Sequence, residues 1–171
     1  SEGGMENKYE SFDELRNHIK KVIESTLPSL GFTVDNFDDY FHCGDLWVNI
    51  LTKHGAFHVP HIHGTGETLF AGVYYPTDYR NDDAEGPDVR ATSVPEPGDI
   101  MLFDPASTEK RAVIPQSIVN RYPYYGSEIC IRPTKGTLVV FPSYLLHMVV
   151  PLYGDSDDTR MSISFSYGKK A

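Results

Sequence analysis

The sequence predicts a mainly β fold, a sandwich or barrel of short strands, with one helix packed outside it. From about Leu46 onward, apolar residues recur with a period of two in segments separated by Gly, Pro or Asp. The 12 prolines and 14 glycines are spread along the chain, which suits short strands and turns better than a helix bundle. We expect residues 5–171 to form a single domain and interpret Ser1–Gly4 as a tag remnant.

The one predicted helix covers Tyr9–Thr26, where apolar side chains recur at helical spacing. Ser11 is placed to cap the start of this helix, and Pro28 and Gly31 are expected to end it. An amphipathic helix of this kind buries its apolar face, so we expect it to lie against the outside of a sheet.

Seven segments with strand-like composition follow, each bounded by turn residues. In chain order they are LWVNILTKH, TLFAGVYY, GDIMLFDP, SEICIRP, GTLVVFP, LLHMVVPLY and RMSISFSY. Two long connections separate some of them: the polar insertion Pro76–Gly98, and a segment that ends in the loop RYPYYG, Arg121–Gly126. Connections of this length are typical of functional lids or of disordered segments.

Composition excludes some function classes. The net charge is −9, and no cluster of Lys and Arg is present, which argues against nucleic acid as a partner. No apolar run approaches the length of a membrane span, and no signal peptide opens the chain. We interpret the two cysteines, Cys43 and Cys130, as buried apolar residues of a reduced, cytoplasmic protein. The sequence indicates no particular oligomeric state.

The segment HVPHIH, residues 58–63, holds three of the seven histidines. On an extended strand, residues i and i+2 point to the same face, so His61 and His63 should project together, whereas His58 should point elsewhere if the strand is regular. His147 is the candidate third ligand, because a lone imidazole in an apolar strand needs a partner. Three imidazoles suit iron, zinc, copper or nickel and leave coordination positions open. The alternative is a chance cluster in a loop with a hydrogen-bonded histidine in the core.

An arginine follows in the last predicted strand, RMSISFSY. Arg160 and Ser162 share a face of that strand, and together they could hold a carboxylate through charge-assisted hydrogen bonds. Alternatively, Arg160 pairs with an aspartate of the nearby segment Asp155–Asp158 and contributes little.

These features resemble the 2-oxoglutarate- and Fe(II)-dependent oxygenases. The closer resemblance is to a prolyl-hydroxylase-like subfamily of oxygenases found in marine bacteria and their phages. It is carried by the segments WVNILTKHGAFHVPHIH, FAGVYYP, KGTLVVFPSYLLHMVVP and RMSISFS. The resemblance covers Trp47–Tyr167, about two thirds of the chain, and implies the host cytoplasm as the location if the chain is viral.

For the fold, the resemblance implies a double-stranded β-helix (a jelly-roll, cupin-like architecture) with Fe(II) bound at one open end. His61 and His147 match the two histidine ligands of the family. His63 falls where most members carry Asp or Glu, so three imidazoles would leave the full charge on the metal. Glu67 and Asp104 are the alternative carboxylate ligands.

For the co-substrate, the resemblance implies a set of residues around the distal carboxylate of 2-oxoglutarate. Arg160 matches the residue that pairs with this carboxylate, and Ser162 would assist it. Tyr75 matches a tyrosine that commonly donates a hydrogen bond to the same group, and Asn49 is a further candidate contact.

For the reaction, the resemblance implies a dioxygenase that uses O2 and 2-oxoglutarate, with ascorbate as an accessory reductant. It would hydroxylate a C–H bond of a peptidyl substrate, for example a prolyl residue, or of a small molecule, and release succinate and CO2. The two long connections would form a lid over that substrate, and Trp47 is interpreted as a core residue. Two alternatives stay open: a three-histidine cupin-type dioxygenase that does not use 2-oxoglutarate, and a non-enzymatic metal-binding jelly-roll module.

Overall fold

The computed structural model describes residues 10–33, 37–52, 54–64, 66–78, 86–90, 95–107, 113–153 and 159–169. The segment Ser1–Gly4, interpreted as a tag remnant, lies outside these ranges, and so do the aspartates of Asp155–Asp158. Within the insertion Pro76–Gly98, the structure describes three pieces, which are residues 76–78, 86–90 and 95–98.

Helix α1 spans Glu10–Thr26 and continues as a 3-10 helix over Leu27–Leu30. It begins one residue before Ser11, which therefore lies in its first turn and not at the cap position. Gly31 ends the 3-10 helix with a left-handed φ of 84°, a conformation that glycine adopts without strain. Two short helices and a 3-10 turn follow: α2 (Phe37–Tyr40), α3 (Gln116–Arg121) and Pro123–Tyr125. No helix in the described ranges is both long enough and apolar enough to cross a membrane.

The described residues form nine strands, two more than the sequence segments predicted. They are β1 (Phe41–Leu51), β2 (His58–His61), β3 (Thr68–Tyr74), β4 (Asp88–Arg90), β5 (Ile100–Phe103), β6 (Glu128–Arg132), β7 (Leu138–Pro142), β8 (Leu146–Val149) and β9 (Arg160–Lys169). The additional strands are β2 and β4, both of four residues or fewer. Strand prediction depends on an alternation of apolar and polar residues over at least four positions; β4 has only three residues, and HVPH in β2 does not alternate.

The strands pair into two antiparallel sheets. One has the order β1-β9-β3-β7 and the other the order β2-β8-β5-β6-β4. Apolar residues of both sheets form one cluster between them: Ala71, Val73, Tyr75, Ile100, Leu102, Ile131, Val139 and Phe141. The two sheets therefore face each other across a shared core, and the predicted jelly-roll architecture is confirmed.

Helix α1 lies on the outer face of the four-stranded sheet, as predicted. Its buried residues Ile19 and Ile23 pack with Phe165 and Tyr167 of β9 and with Phe70 of β3. Both of the helical residues are at most 2% exposed, so the apolar face of the helix is fully used in this contact. The opposite, inner face of this four-stranded sheet lines the space between the two sheets.

The two cysteines lie apart and are not joined in a disulfide. Cys130 on β6 is fully buried, as expected from the sequence, whereas Cys43 on β1 is half-buried. Burial raises the pKa of the Cys130 thiol to about 11, so this side chain stays neutral and behaves as an apolar residue.

Candidate active site

Three imidazoles meet at one end of the space between the sheets. His61 is the last residue of β2, His63 follows two residues later, and His147 lies on β8 directly opposite His61 in the β2–β8 ladder. One ring nitrogen of each histidine lies within 4.8 Å of the nitrogens of the other two. The structure thus brings together the three histidines that the sequence singled out.

The hydrogen bonds of two of these rings fix which nitrogen is free. His61 Nδ1 lies 2.7 Å from the carbonyl oxygen of Val59, and His147 Nδ1 lies 2.9 Å from that of Leu145. A carbonyl can only accept, so each Nδ1 carries the hydrogen and each Nε2 keeps its lone pair. Histidines that bind metals in proteins are commonly held in this way. The donor set therefore fits a divalent metal such as Fe(II).

The position of His63 is fixed mainly by its backbone. The N–H of His63 donates to the carbonyl oxygen of Ser143 at 2.9 Å, in the turn between β7 and β8. The ring of His63 lies 5.0 Å from that of His147, nearly parallel to it, and 6.0 Å from the ring of Trp47. These contacts place His63 beside the two other rings although it lies beyond the end of β2.

Burial favours the neutral form of two of these histidines, His147 and His63. Burial lowers the pKa of His147 to about 4, and the nearby imidazoles act in the same direction. The pKa of His63 is also lowered, chiefly by burial and then by the charge of His61. Neutral imidazole is the form that coordinates a metal, so the lowered pKa values of His63 and His147 favour binding.

His58 also faces this space, which a regular strand would not allow. His58 and His61 are three positions apart, whereas their partners Val149 and His147 on β8 are only two positions apart. The extra residue is a β-bulge, and it turns both histidines to the same side. Sequence reasoning missed His58 because a bulge leaves no mark in the spacing of the histidines themselves.

Arg160 lies in the same cavity as the histidines and is 1% exposed. Its Nε donates to the carbonyl oxygen of Gly98 at 2.9 Å, and its Nη2 donates to the hydroxyl oxygen of Tyr75 at 2.8 Å. Its Nη1 lies 3.4 Å from Ser162 Oγ. No carboxylate in the described residues forms an ion pair with Arg160. A buried guanidinium without a counter-ion is strongly disfavoured, so Arg160 is a candidate site for an anion.

Tyr75 and Ser162 complete this anion site. Burial raises the pKa of Tyr75, against the opposing effect of the Arg160 charge, so the phenol stays protonated. Because its oxygen accepts from Arg160, its own hydrogen is free to be donated to a ligand. Asn49 does not line the cavity, since its amide donates to Ser164 Oγ at 2.8 Å and reaches the cavity only through that hydroxyl.

The histidines and the arginine line one continuous cavity between the sheets. Its empty space is about 440 Å³, counting the part that is open to solvent. The wall between the polar groups is apolar and includes Ile100, Phe141 and Val149. Trp47 also lines the cavity and is 37% exposed, so its interpretation as a core residue was wrong. Polar groups that converge in a cavity with partly apolar walls are typical of a small-molecule site.

Other candidates lie elsewhere. Glu67 and Asp104 do not belong to the histidine group, which contains no carboxylate from the described residues. The tyrosines of the loop Arg121–Gly126, predicted as part of a lid, line a separate groove beside α3. In the insertion, β4 pairs with β6 at the edge of the five-stranded sheet and does not line the cavity.

Residues 45–166 match a family model described as "Putative 2OG-Fe(II) oxygenase". The chain belongs to this family. The 2OG-Fe(II) oxygenases are oxidoreductases that use Fe(II) and 2-oxoglutarate, and the histidine group with the neighbouring anion site fits both. Family membership thus favours an enzyme over the non-enzymatic module considered from the sequence.

Solved structures support the fold of this 2OG-Fe(II) oxygenase. A prolyl-4-hydroxylase from Pseudomonas putida is 16% identical with a TM-score of 0.54, over 95% of this chain and 69% of that one. A prolyl 4-hydroxylase from Phytophthora capsici is 15% identical with a TM-score of 0.53, over 98% of this chain and 45% of that one. The chain thus spans less than half of the Phytophthora enzyme. No curated protein sequence matches it.

Proposed function

We propose that this chain is an Fe(II)- and 2-oxoglutarate-dependent dioxygenase that hydroxylates a C–H bond of a peptidyl or small-molecule substrate, releasing succinate and CO2. His61, His63 and His147 would hold the metal, and Arg160, Tyr75 and Ser162 would hold the distal carboxylate of 2-oxoglutarate. The observation that carries the proposal is the buried guanidinium of Arg160, which shares a cavity with three metal-binding imidazoles.

Two groups that line the same cavity, the histidine group and Arg160, match the two ends of the keto-acid. 2-Oxoglutarate carries a chelating keto-carboxylate at one end, which suits a metal with open positions. Its second carboxylate suits the guanidinium fork, with the hydrogen of Tyr75 as an added donor. A ligand with only one of these ends would leave either the metal or the buried Arg160 without its partner.

When bound, Fe(II) with O2 and 2-oxoglutarate supplies the oxidising chemistry. The residues of this chain contribute orientation and exclusion of water. The Nδ1 hydrogen bonds hold the rings of His61 and His147 with Nε2 available. The apolar side chains of Ile100, Phe141 and Val149 keep the walls dry. Trp47, half-exposed beside His63, offers an apolar surface on which a substrate could rest.

The substrate we favour is a peptide with an oxidisable residue such as proline. Both structurally similar proteins described above are prolyl 4-hydroxylases, and Trp47 provides the apolar contact that a proline ring prefers. Two cysteines without a disulfide further support a reducing compartment, for which we propose the cytoplasm.

The test is succinate formation from 2-oxoglutarate in the presence of Fe(II), O2 and ascorbate, with and without proline-containing peptides. We expect slow succinate formation without peptide, and faster formation with a peptide that gains one oxygen atom by mass spectrometry. Full loading with Fe(II) but no succinate under any of these conditions would contradict the proposal. An Arg160→Met variant, which keeps the histidines, is the matched control and should form little succinate.

The all-histidine donor set favours a second candidate, a cupin-type three-histidine dioxygenase that does not use 2-oxoglutarate. Three neutral ligands and no carboxylate are found among the described residues. Such an enzyme would consume O2 with its own substrate, for example a thiol, whether or not 2-oxoglutarate is added. The buried Arg160 favours the first candidate, because a thiol substrate gives this charge no partner.

A further inference from the structure

The guanidinium of Arg160 is oriented by a turn from the polar insertion. Glu96, Pro97, Gly98 and Asp99 form a β-turn in which the N–H of Asp99 donates to the carbonyl oxygen of Glu96 at 3.1 Å. Gly98 has a φ of 81°, and proline before such a glycine is the usual sequence of a type II turn. The carbonyl oxygen of Gly98 accepts a hydrogen bond from Arg160 Nε, so the turn sets the orientation of the guanidinium group.

A buried carboxylate fastens this turn. Asp99 is 1% exposed, and its Oδ2 accepts from the N–H of Glu96 at 2.8 Å and from Arg90 Nη2 at 2.6 Å. Arg90 lies on β4 and also pairs with Glu96 through Nη1 at 3.2 Å. Arg132 of the neighbouring strand β6 pairs with Glu96 as well. The turn is thus tied at both of its ends to the edge of the five-stranded sheet.

The backbone of the turn is fixed from a second side. The N–H of Gly98 donates to the carbonyl oxygen of Val150 at 3.1 Å, and the N–H of Val150 donates to the carbonyl oxygen of Asp99 at 2.9 Å. Val150 directly follows β8, the strand that carries His147. The same turn therefore contacts both the arginine and the end of the strand that holds a histidine of the metal site.

The geometry points to Asp99, together with Arg90, as a positioning residue that aligns Arg160 for the distal carboxylate of the co-substrate. This inference rests on the proposed function, because it assigns Arg160 to that carboxylate. Neither Asp99 nor Arg90 lines the cavity, so each acts through Gly98 and contacts no ligand. The part of the insertion that contains β4 then supports the co-substrate site indirectly, through the turn that contacts Arg160.

A merely structural role and a positioning role differ in which ligand they affect. 2-Oxobutyrate has the keto-carboxylate of 2-oxoglutarate but lacks its second carboxylate, so its binding does not involve Arg160. Loss of alignment should weaken 2-oxoglutarate and spare 2-oxobutyrate. A general loss of structure should weaken both ligands and the metal alike. The ratio of the two dissociation constants is therefore the informative quantity.

The experiment measures the dissociation constants of both keto-acids by calorimetry on Mn(II)-loaded protein without O2. In Asp99→Ala we expect the constant for 2-oxoglutarate to rise about tenfold, as is typical when an outer partner of a binding residue is lost, with that for 2-oxobutyrate unchanged. Asp99→Asn should restore most of the affinity, because its amide oxygen still accepts from Glu96 and Arg90. Asp88→Asn is the matched control, since Asp88 also pairs with Arg90 but does not touch the turn.

If Asp99→Ala does not fold, Arg90→Met removes the contacts of Arg90 with Asp99 and Glu96, keeps the bond from the Glu96 N–H, and should shift the ratio in the same direction. An unchanged ratio in both variants would overturn the positioning role and leave the proposed function standing. An equal loss for both keto-acids would overturn it too, in favour of a structural role. A wild-type protein that binds both keto-acids equally would instead overturn the assignment of Arg160, and the inference with it.

Discussion

The replacement Arg160→Met tests the co-substrate site most directly, because it removes the charge and keeps an unbranched apolar stem. The guanidinium is buried, and its Nη2 and Nη1 face Tyr75 and Ser162 in the cavity. Truncating one partner of a buried charge pair costs about 2–5 kcal/mol. At about 1.4 kcal/mol for each factor of ten, we expect the dissociation constant of 2-oxoglutarate to rise roughly 30- to 4000-fold.

The assay is titration of 2-oxoglutarate into Mn(II)-loaded protein without O2, together with a separate titration of the metal. Metal affinity should stay within about a factor of two of the wild type, because Arg160 contacts none of the three histidines. Tyr75→Phe provides a graded variant: one neutral hydrogen bond is worth about 1 kcal/mol, so it should weaken the keto-acid about fivefold. An unchanged affinity for 2-oxoglutarate in Arg160→Met would refute the reasoning, since a residue other than Arg160 would then have to bind its distal carboxylate.

Three further predictions concern the metal and the core. His147→Ala should lose stoichiometric Fe(II) or Mn(II) binding, measured by metal analysis after gel filtration, whereas His18→Ala on the exposed side of α1 should keep it. In the metal-free protein, the folded-state pKa of His147 is about 4, below its unfolded value of 6.5, so the unfolded chain takes up an extra proton as the pH falls. The free energy of unfolding should therefore decrease by about 2 kcal/mol between pH 7 and pH 5. The contribution of His147 to the free energy of unfolding is fully present above pH 6.5 and is lost as the pH falls towards 4. Urea denaturation at several pH values would detect this loss. An equal dependence of the unfolding free energy on pH in His147→Gln would contradict it. Gly72→Ala should cost about 1–3 kcal/mol, because the added Cβ would lie 2.5 Å from the Val139 carbonyl oxygen, whereas Gly86→Ala meets no atom within 4 Å and should be neutral.

Much of the fold could be predicted because its information is local. The period of the apolar residues gave the helix and seven of the strands, since one buried face leaves a regular pattern in the sequence. The short strands β2 and β4 were not predicted, because β2 does not alternate and β4, with three residues, is too short for a pattern to be recognised. What defines β4 is its pairing with β6 about 40 residues later, through partners such as Val89 and Ile131, and no local pattern encodes such a pairing.

The residues of the candidate site also differ in whether a local sequence pattern predicts them. The two-residue spacing of His61 and His63 and the isolation of His147 in an apolar strand were enough to group them. His58 and Trp47 could not be assigned, because their direction depends on a β-bulge and on which strand edge borders the cavity. Asp99 was equally hidden, since its role arises from Arg90 and Gly98, which only the fold brings to its side.

Among the described residues no carboxylate belongs to the histidine group, which would make the anion site more important to binding. With three neutral imidazoles, a bound divalent cation and Arg160 give the cavity three positive charges, of which a 2-oxoglutarate dianion neutralises two. A carboxylate ligand would have neutralised the third. With the metal bound, the cavity would therefore be electropositive within a protein whose net charge is −9, and the apolar part of its wall would limit screening of that charge by water. Because the rest of the surface repels anions, a dicarboxylate gains its attraction only inside this cavity. Co-substrate affinity should consequently fall less steeply with salt than that of an exposed arginine site, since ions screen buried charges much less than exposed ones.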